Sequence, residues 1–419
     1  MSFKVKDIAL APEGRRMIEW AERHMPVLAS IRQRFSEEKP LKGFNIGVAL
    51  HLEAKTAVLM RTLVEGGANV AVTSCNPLTT RDEVAAALAS EGLKVFAWRG
   101  ETTKEYYDNL NLVLDSEPQI LIDDGADLIF LTHTKRQDLI GRILGACEET
   151  TTGVNRLRAM FEEGKLRFPV LAVNDSPAKR LFDNRFGTAE STFQALMSIT
   201  NAMIAGKNVV VVGYGFVGRG IASRAKGLGA IVTVVESDAI RALEAAMDGF
   251  RVARMEDAAK IGDIFITATG NINVIRKEHM RHMRDGAILC NAGHFNVEVD
   301  LKGLSELSVK REEVLADVEE FQLEDGRRLY LLAEGRLVNL AGKRSLGHPM
   351  EIMDMSFGLQ ALGVEYIAKY AGKLESRVYD VPKEIDGEVA KLKLRSLGIQ
   401  LEELTDEQLK YLKSWWGGT

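Results

Sequence analysis

The sequence is poor in cysteine and has no long hydrophobic run. Its three cysteines in 419 residues are too few and too scattered for a disulfide framework or a zinc site, so we expect a reducing compartment and no metal centre. No run approaches the ~18 uninterrupted apolar residues that cross a bilayer. The N-terminal residues are charged throughout and lack the apolar region of a signal peptide. These absences predict a cytoplasmic protein without a membrane partner.

An excess of positive charge is also missing. Lys and Arg number 54 while Asp and Glu number 59, which gives a net charge of −5. A nucleic-acid binder that relies on bulk positive charge is therefore excluded. The composition, 46% hydrophobic and 27% charged, is that of an ordinary globular protein. The length is nearly three times the ~150 residues of an average domain, so we expect two or three domains.

Short apolar runs alternate with helical patterns, which is typical of a parallel α/β sheet. In the first half, strands are predicted at 44–52, 69–75, 93–98, 119–125 and 168–175. Each of these runs except the third ends in polar residues such as His51 and Asp124. Because ligands bind beyond the carboxyl ends of parallel strands, the first half is predicted to bind a substrate.

A second sheet begins with four valines that lead into a glycine-rich turn. Gly213, Gly215 and Gly218 stand between this strand and a helix, with Phe216 and Val217 among them. Glycines at these positions let the backbone approach a pyrophosphate at the helix N-terminus. Glu236 ends the next strand, where it could bind both ribose hydroxyls and repel a 2′-phosphate. The pattern indicates NAD as the cofactor, although an ordinary strand–helix turn beside a surface glutamate would look the same.

The predicted fold is therefore α/β, with two Rossmann-like parallel-sheet domains and a short helical C-terminal tail. We place a substrate-binding domain at 1–187 and an NAD-binding Rossmann domain at 188–345. The chain is expected to return to the substrate domain over 346–380, which makes that domain discontinuous. The tail would occupy 381–419, where Thr405 and Gln408 form a capping-box pattern.

Seven segments together resemble the S-adenosylhomocysteine hydrolase family. In order they are HLEAKTAVL (51–59), DDGADL (123–128), EETTTGV (148–154), AVNDSPAKRLFDNRFG (172–187), GYGFVGRG (213–220), NAGHFNVE (291–298) and AEGRLVNL (333–340). Their order and spacing match over nearly the whole chain, and the sequence is similar to the compact, short-tailed branch of the family. The resemblance implies reversible cleavage of S-adenosyl-L-homocysteine to adenosine and L-homocysteine, a reaction of the methyl cycle.

The resemblance also implies roles for individual residues. Oxidation of the ribose 3′-hydroxyl by a tightly bound NAD makes the C4′ proton acidic, so that homocysteine can be eliminated, water added and the ketone reduced again. Glu149, Lys179 and Asp183 would hold the ribose hydroxyls, and Lys179 would be the base, with a pKa near neutrality. His51 and Asp124 would act at C4′ and C5′.

The remaining implied contacts belong to the cofactor and to the edges of the substrate site. His294 and His348 would close over the sugar and homocysteine, and Glu53, Lys55 and Thr56 would lie at the base. The residues implied to contact NAD, besides the glycine turn and Glu236, are Thr150, Thr151, Thr152, Asn184, Asn271, Ala292, Gly293, His294 and Asn339. A homo-oligomer, a tetramer by resemblance, is implied as well.

Two departures from the family pattern bear on specificity. Lys55 stands where many members have Gln or Glu, and a lysine donor would suit the O6 atom of hypoxanthine, so S-inosyl-L-homocysteine is the alternative substrate. Lys55 could equally open the following helix and pair with Glu53. The segment that leads to His348 carries two extra residues, with Lys343 and Arg344 in it.

Two other protein classes share parts of this pattern. A 2-hydroxyacid dehydrogenase would need an Arg–His–carboxylate site, and no such motif is found. A catalytically silent NAD-binding regulator would be expected to lack the ribose-handling acids and bases, which are present.

Overall fold

Two eight-stranded sheets organise residues 2–415, the part of the chain that a computed structural model describes. Residues 416–419, the end of the predicted tail, lie outside the described residues. The strands are β1 (Phe3–Val5), β2 (Asn45–Ala49), β3 (Asn69–Thr73), β4 (Lys94–Ala97), β5 (Ile120–Asp123), β6 (Gly145–Glu148), β7 (Val170–Ala172), β8 (Asn208–Val212), β9 (Ile231–Val235), β10 (Arg251–Val252), β11 (Ile264–Thr267), β12 (Ala287–Asn291), β13 (Ser308–Leu315), β14 (Val318–Leu323), β15 (Arg328–Leu332) and β16 (Val378–Asp380).

The first sheet is wholly parallel and has the order β1-β4-β3-β2-β5-β6-β7-β16. The second has the order β10-β9-β8-β11-β12-β15-β14-β13 and is parallel except for β14 and β13. Because β16 joins the first sheet after the whole second sheet has formed, the first unit is discontinuous. The predicted fold class is confirmed.

Helices cover the faces of both sheets. They are α1 (Ala11–Arg23), α2 (Pro26–Glu38), α3 (Ala54–Glu65), α4 (Asp82–Ser90), α5 (Thr103–Leu114), α6 (Asp127–Thr134), α7 (Thr151–Glu162), α8 (Pro177–Lys179), α9 (Thr188–Thr200), α10 (Phe216–Gly227), α11 (Ala239–Met247), α12 (Met255–Ala258), α13 (Lys277–Met280), α14 (Leu301–Leu307), α15 (Val338–Ala341), α16 (Met350–Lys369), α17 (Lys383–Ser396) and α18 (Asp406–Leu412). Within residues 2–415, no helix is both long and apolar enough to span a membrane.

The sequence predicts the central strands of the second sheet better than its edge strand. The four valines that predict β8 are all buried, and the three central residues of β9 are buried as well. At the edge of the second sheet, β13 is mostly exposed and carries Lys310, Arg311, Glu312 and Glu313. A charged edge strand of this kind protects a sheet from pairing with other chains and lacks the apolar run that marks a buried strand.

A π-helix over Arg180–Gly187 connects the two units. It follows α8 and continues into α9, and it packs against α10, the helix that opens at the glycine turn. The packing is close because a Cβ added at Gly220 would overlap the carbonyl oxygen of Arg185. This contact brings Lys179 and Asp183, which bracket the start of the π-helix, next to the predicted cofactor turn.

Candidate active site

A cavity of about 420 Å³ lies between the two sheets, at the carboxyl ends of their central strands. Strand ends from both units contribute to its wall, which is the position expected for ligands of parallel sheets. The predicted site residues that line it are His51, Glu53, Thr56, Asp124, Glu149, Thr150, Thr151, Thr152, Lys179, Asp183, Asn184, Gly213, Gly215, Phe216, Val217, Glu236, Asn271, Ala292, Gly293, His294, Asn339 and His348.

Two predicted site residues, Lys55 and Gly218, are not in the cavity wall. The Lys55 ammonium is turned toward the carbonyl oxygen of Leu346, at 2.7 Å, and the carboxylate of Glu53, at 2.8 Å. The pairing of Lys55 with Glu53, one of the two alternatives expected from the sequence, is therefore found, and a contact between Lys55 and the base of the substrate stays a prediction. Gly218 serves the packing of the turn instead, because a Cβ there would overlap the carbonyl oxygen of Gly213.

The glycine turn leaves room for a ligand at the N-terminus of α10. Gly213 has a φ of 99°, which favours glycine, while an added Cβ at Gly215 would meet nothing closer than Arg241 Nη1 at 4.0 Å. Burial alone would raise the pKa of Glu236, but the backbone amides of Asp238, Tyr214 and Ser237 outweigh it and the pKa is lowered. An ionised carboxylate beside an open glycine turn fits a dinucleotide with a free ribose 2′-hydroxyl.

Amide side chains form the opposite end of the predicted cofactor site. Asn174 Oδ1 accepts hydrogen bonds from Asn184 Nδ2 at 3.0 Å and from Thr151 Oγ1 at 3.2 Å. Asn184 in turn accepts from Lys179 Nζ at 2.8 Å. Asn339 donates to Ser191, whereas its buried Oδ1 accepts no hydrogen bond within residues 2–415. That free acceptor suits a carboxamide or hydroxyl of a bound ligand.

A buried charge cluster occupies the middle of the cavity. Lys179 Nζ lies 3.4 Å from both Glu149 Oε1 and Asp183 Oδ2. The second oxygen of Glu149 accepts from Gln360 Nε2 at 2.5 Å, and Asp183 accepts from Ser356 Oγ at 2.8 Å and contacts His348 Nδ1. All members except His348 are buried, so their charges interact strongly.

The cluster corrects the predicted protonation of Lys179. Burial lowers the pKa of Lys179, but the carboxylates of Asp183 and Glu149 outweigh this, and the pKa is raised above its ordinary value. Burial raises the pKa of Glu149 to about 8 despite the attraction of Lys179. For Asp183, burial is outweighed by Lys179 and His348, so its pKa is lowered. Lys179 is therefore a cation near neutral pH, and the group of the cluster that gains or loses a proton near pH 8 is Glu149.

A second group of acids and bases faces this cluster across the cavity. Asp124 lies between two histidines, with its oxygens 3.4 Å from His51 Nε2 and 3.6 Å from His294 Nδ1. Burial lowers the pKa of His51 to about 4, so its ring is neutral. The three side chains place one donor atom each within 4.8 Å of the others and could also hold a metal ion.

Buried carboxylates behind the wall hold these side chains in place. Glu148 accepts hydrogen bonds from the backbone N–H groups of Gly125, at 2.8 Å, and Thr150, at 3.0 Å. Burial, followed by repulsion from Asp123 and Asp124, raises its pKa well above the usual value. Glu148 thereby joins the loop after Asp124 to Thr150, the residue that precedes α7.

Several residues in or near the wall were not predicted individually. Asn174 lies inside a motif that the resemblance used, and Ser237 and Arg241 follow Glu236, so proximity to these signals could have found them. Met353 and Phe357 of α16 also line the cavity. Their helical spacing is that of core residues, and both do belong to the core, so the sequence offered no signal for a second role.

The fold and the cavity together define an enzyme with a dinucleotide-binding unit and an acid–base cluster in one cleft. Residues 2–140 match the family model described as S-adenosyl-L-homocysteine hydrolase, and residues 184–345 match the model of its NAD binding domain. A protein of Methanocaldococcus jannaschii called S-inosyl-L-homocysteine hydrolase is 60% identical over 100% of both chains. A protein of Pyrococcus abyssi called adenosylhomocysteinase is 60% identical over 100% of this chain and 98% of its own.

The chain belongs to the S-adenosyl-L-homocysteine hydrolase family. It is an enzyme of that family, a hydrolase with a Rossmann-type NAD-binding domain, and NAD is its cofactor. The names of these two relatives refer to substrates with different bases. Because this chain is 60% identical to both, the sequence identity does not show which base it prefers.

The raised pKa of Glu149 predicts a pH-dependent contribution to stability. The folded state binds this proton more tightly, because the folded pKa is about 8 and the usual value is 4.5. The contribution is therefore fully present below pH ~4.5 and is lost as pH rises toward 8. Relative to Glu149→Gln, the free energy of unfolding of the wild type should fall over this range by up to roughly 1.4 kcal/mol per pH unit.

Urea unfolding of cofactor-stripped protein between pH 5 and 8 measures this difference. The exposed Glu388→Gln is the matched control and should track the wild type at every pH. If the free energies of unfolding of the wild type and Glu149→Gln differ by the same amount at every pH, the raised pKa of Glu149 is contradicted.

Proposed function

We propose that this chain catalyses the reversible hydrolysis of S-adenosyl-L-homocysteine to adenosine and L-homocysteine. The observation that carries the proposal is that two buried sets of acids and bases face each other in one cavity. Lys179, held between Glu149 and Asp183, forms one wall, and Asp124, held between two histidines, forms the other. The chemistry needs both, since one set must handle the ribose hydroxyls and the other must move protons at C4′ and C5′.

The first set would act on the ribose hydroxyls. NAD would be bound by the glycine turn, Glu236, the three threonines at the start of α7, Asn184 and Asn339. When bound, it supplies a reversible hydride acceptor for C3′ of the ribose. Asp183 and Glu149 orient the two hydroxyls by accepting hydrogen bonds. The 3′-hydroxyl proton passes to the Lys179–Glu149 pair, and because Lys179 is a cation, the pair accepts it only when Glu149 is ionised.

The second set would act on the adjacent carbons. Once C3′ is a ketone, the C4′ proton is acidic and Asp124 can remove it. The neutral His51 ring can then accept a proton from the water that adds at C5′ after homocysteine leaves. His294, on the other side of Asp124, would close the cavity over the sugar.

The two units would divide the work. We assign substrate binding to the unit of residues 1–187 and 346–380 and NAD binding to residues 188–345, with the helical tail at 381–419. The enzyme is proposed to be cytoplasmic and homotetrameric. The buried, unpaired state of Cys75, Cys147 and Cys290 supports a reducing compartment.

Adenine is the base that the wall of the cavity favours. Glu53 lines the cavity, and one of its oxygens is free after the other has accepted from Lys55. The Thr56 hydroxyl donates to the carbonyl oxygen of His51, at 2.5 Å, so it can only accept from a ligand. Two acceptors match the amino group of adenine, which has two hydrogens, better than the O6 atom of hypoxanthine. The inosyl substrate is the second candidate, because a relative 60% identical to this chain bears that name.

Incubation of the purified protein with S-adenosyl-L-homocysteine, without added NAD, should release free thiol over many turnovers. A closed redox cycle keeps the cofactor in the site, so no dinucleotide is consumed. Asp124→Asn should abolish the release, since an amide keeps the shape but cannot take up the C4′ proton. Thiol release by Asp124→Asn at near the wild-type rate would remove Asp124 from the mechanism. If the wild type releases no thiol, the proposed function is refuted.

Glu53→Gln should shift the choice of base. The amide gains a donor that suits O6 of hypoxanthine, so the ratio of kcat/KM for the inosyl over the adenosyl substrate should rise by roughly tenfold or more. Glu388→Gln is the control, because Glu388 is exposed and does not line the cavity, so this variant should leave the ratio unchanged. An unchanged ratio in Glu53→Gln, measured by thiol release, would show that Glu53 does not contact the base.

A further inference from the structure

The segment of residues 341–347, here called the connecting loop, joins two parts of the cavity wall. It begins just after Asn339 and ends just before His348, and both of these line the cavity. It spans the boundary between the two units, and its carbonyl groups accept hydrogen bonds from side chains of residues 1–187.

Cations of the first unit bind these carbonyl groups. Arg81 donates from Nη1 to Lys343 O at 3.1 Å and from Nη2 to Ser345 O. Arg99 donates to Ala341 O, and Lys55 donates to Leu346 O at 2.7 Å. Three side chains that precede or follow strands of the first sheet thus hold four carbonyls of one loop.

Arg81 is itself attached to the acid–base wall. Its backbone N–H donates to Leu52 O at 2.8 Å, one residue after His51. Thr79, two residues before Arg81, lies with its hydroxyl 2.8 Å from His51 Nδ1. A short, buried segment therefore carries both the partner of the His51 ring and the arginine that reaches the loop.

The connecting loop is held on its own side as well. Gly347 N donates to Asn339 O at 2.8 Å, and Lys343 N donates to Asp317 Oδ2 at 2.6 Å. Movement of the loop relative to the second unit is therefore restricted. Separation of the two units over the cavity requires instead that the bonds from Arg81, Arg99 and Lys55 break.

We propose that Arg81 is a positioning residue for the reaction: by binding Lys343 O and Ser345 O, it holds the connecting loop against the first unit and keeps His348 and Asn339 over the cavity. A guanidinium holds its forked N–H donors in one plane at fixed spacing, which suits two neighbouring carbonyls, whereas an ammonium is a point charge on a flexible stem. A protein that binds substrate only when closed has an apparent affinity reduced by the fraction that is open. This inference rests on the proposed function for its kinetic readout.

The test compares Arg81→Gln and Arg81→Lys with Arg344→Gln in the holoenzyme. Arg344 is the matched control because it lies in the same loop and donates to a carbonyl, that of Ser198, within its own unit. In Arg81→Gln, KM for S-adenosyl-L-homocysteine should rise roughly tenfold while kcat stays equal or increases. Arg81→Lys should give a smaller rise, and Arg344→Gln should match the wild type.

Trypsin provides a readout that does not depend on activity. Lys343 and Arg344 are exposed cleavage sites inside the loop, and the rate of cutting follows the population of the open form. Cleavage after Lys343 should be several-fold faster in Arg81→Gln and unchanged in Arg344→Gln. An unchanged KM and an unchanged cleavage rate, or a fall in kcat with KM unaltered, would overturn the proposal. Faster cleavage in a protein that releases no thiol would support the loop's role and refute the proposed function instead.

Discussion

One buried ammonium group, that of Lys179, organises the middle of the cavity. Lys179 lies 3.4 Å from each of two carboxylates, and neither it nor Glu149 or Asp183 is more than slightly exposed. Removal of Lys179 would leave the carboxylate of Asp183, and removal of Asp183 would leave the ammonium of Lys179, as an uncompensated charge in a low-dielectric interior, which costs roughly 3–5 kcal/mol. The cluster therefore constrains the surrounding backbone: α8, the π-helix and the end of β6 must meet at one point, and α16 must bring Gln360 and Ser356 to it.

Much of the fold and the composition of the cavity wall follow from local sequence signals. These signals include the apolar runs of β8 and β9, the glycine turn and Glu236. Each of them can be recognised from the residues of one short segment. The family motifs identified most of the wall, because each motif begins at or just after the carboxyl end of a strand, and these ends converge at one edge of a parallel sheet. Edge strands such as β13 could not be predicted in this way, since exposure removes the apolar pattern.

The properties that could not be predicted from the sequence depend on contacts between segments that are far apart in the chain. A lysine near carboxylates in sequence gives no sign of whether burial or attraction controls its pKa, and at Lys179 attraction prevails. The sequence does not show that Lys55 donates a hydrogen bond to the carbonyl oxygen of Leu346, because the two residues are 291 positions apart in the chain. The contacts of Arg81 with the connecting loop likewise join segments that no local pattern relates.

The central claim is that C3′ loses and regains one hydride within a single closed site. Substrate carrying deuterium at C3′ tests it directly, with mass spectrometry of the released adenosine after many turnovers in unlabelled water. Deuterium should be retained at C3′, because the bound cofactor would take it up as a hydride and return it to the same carbon without exchange with water. Adenosine that has lost its deuterium, with the label recovered outside the nucleoside, would contradict it.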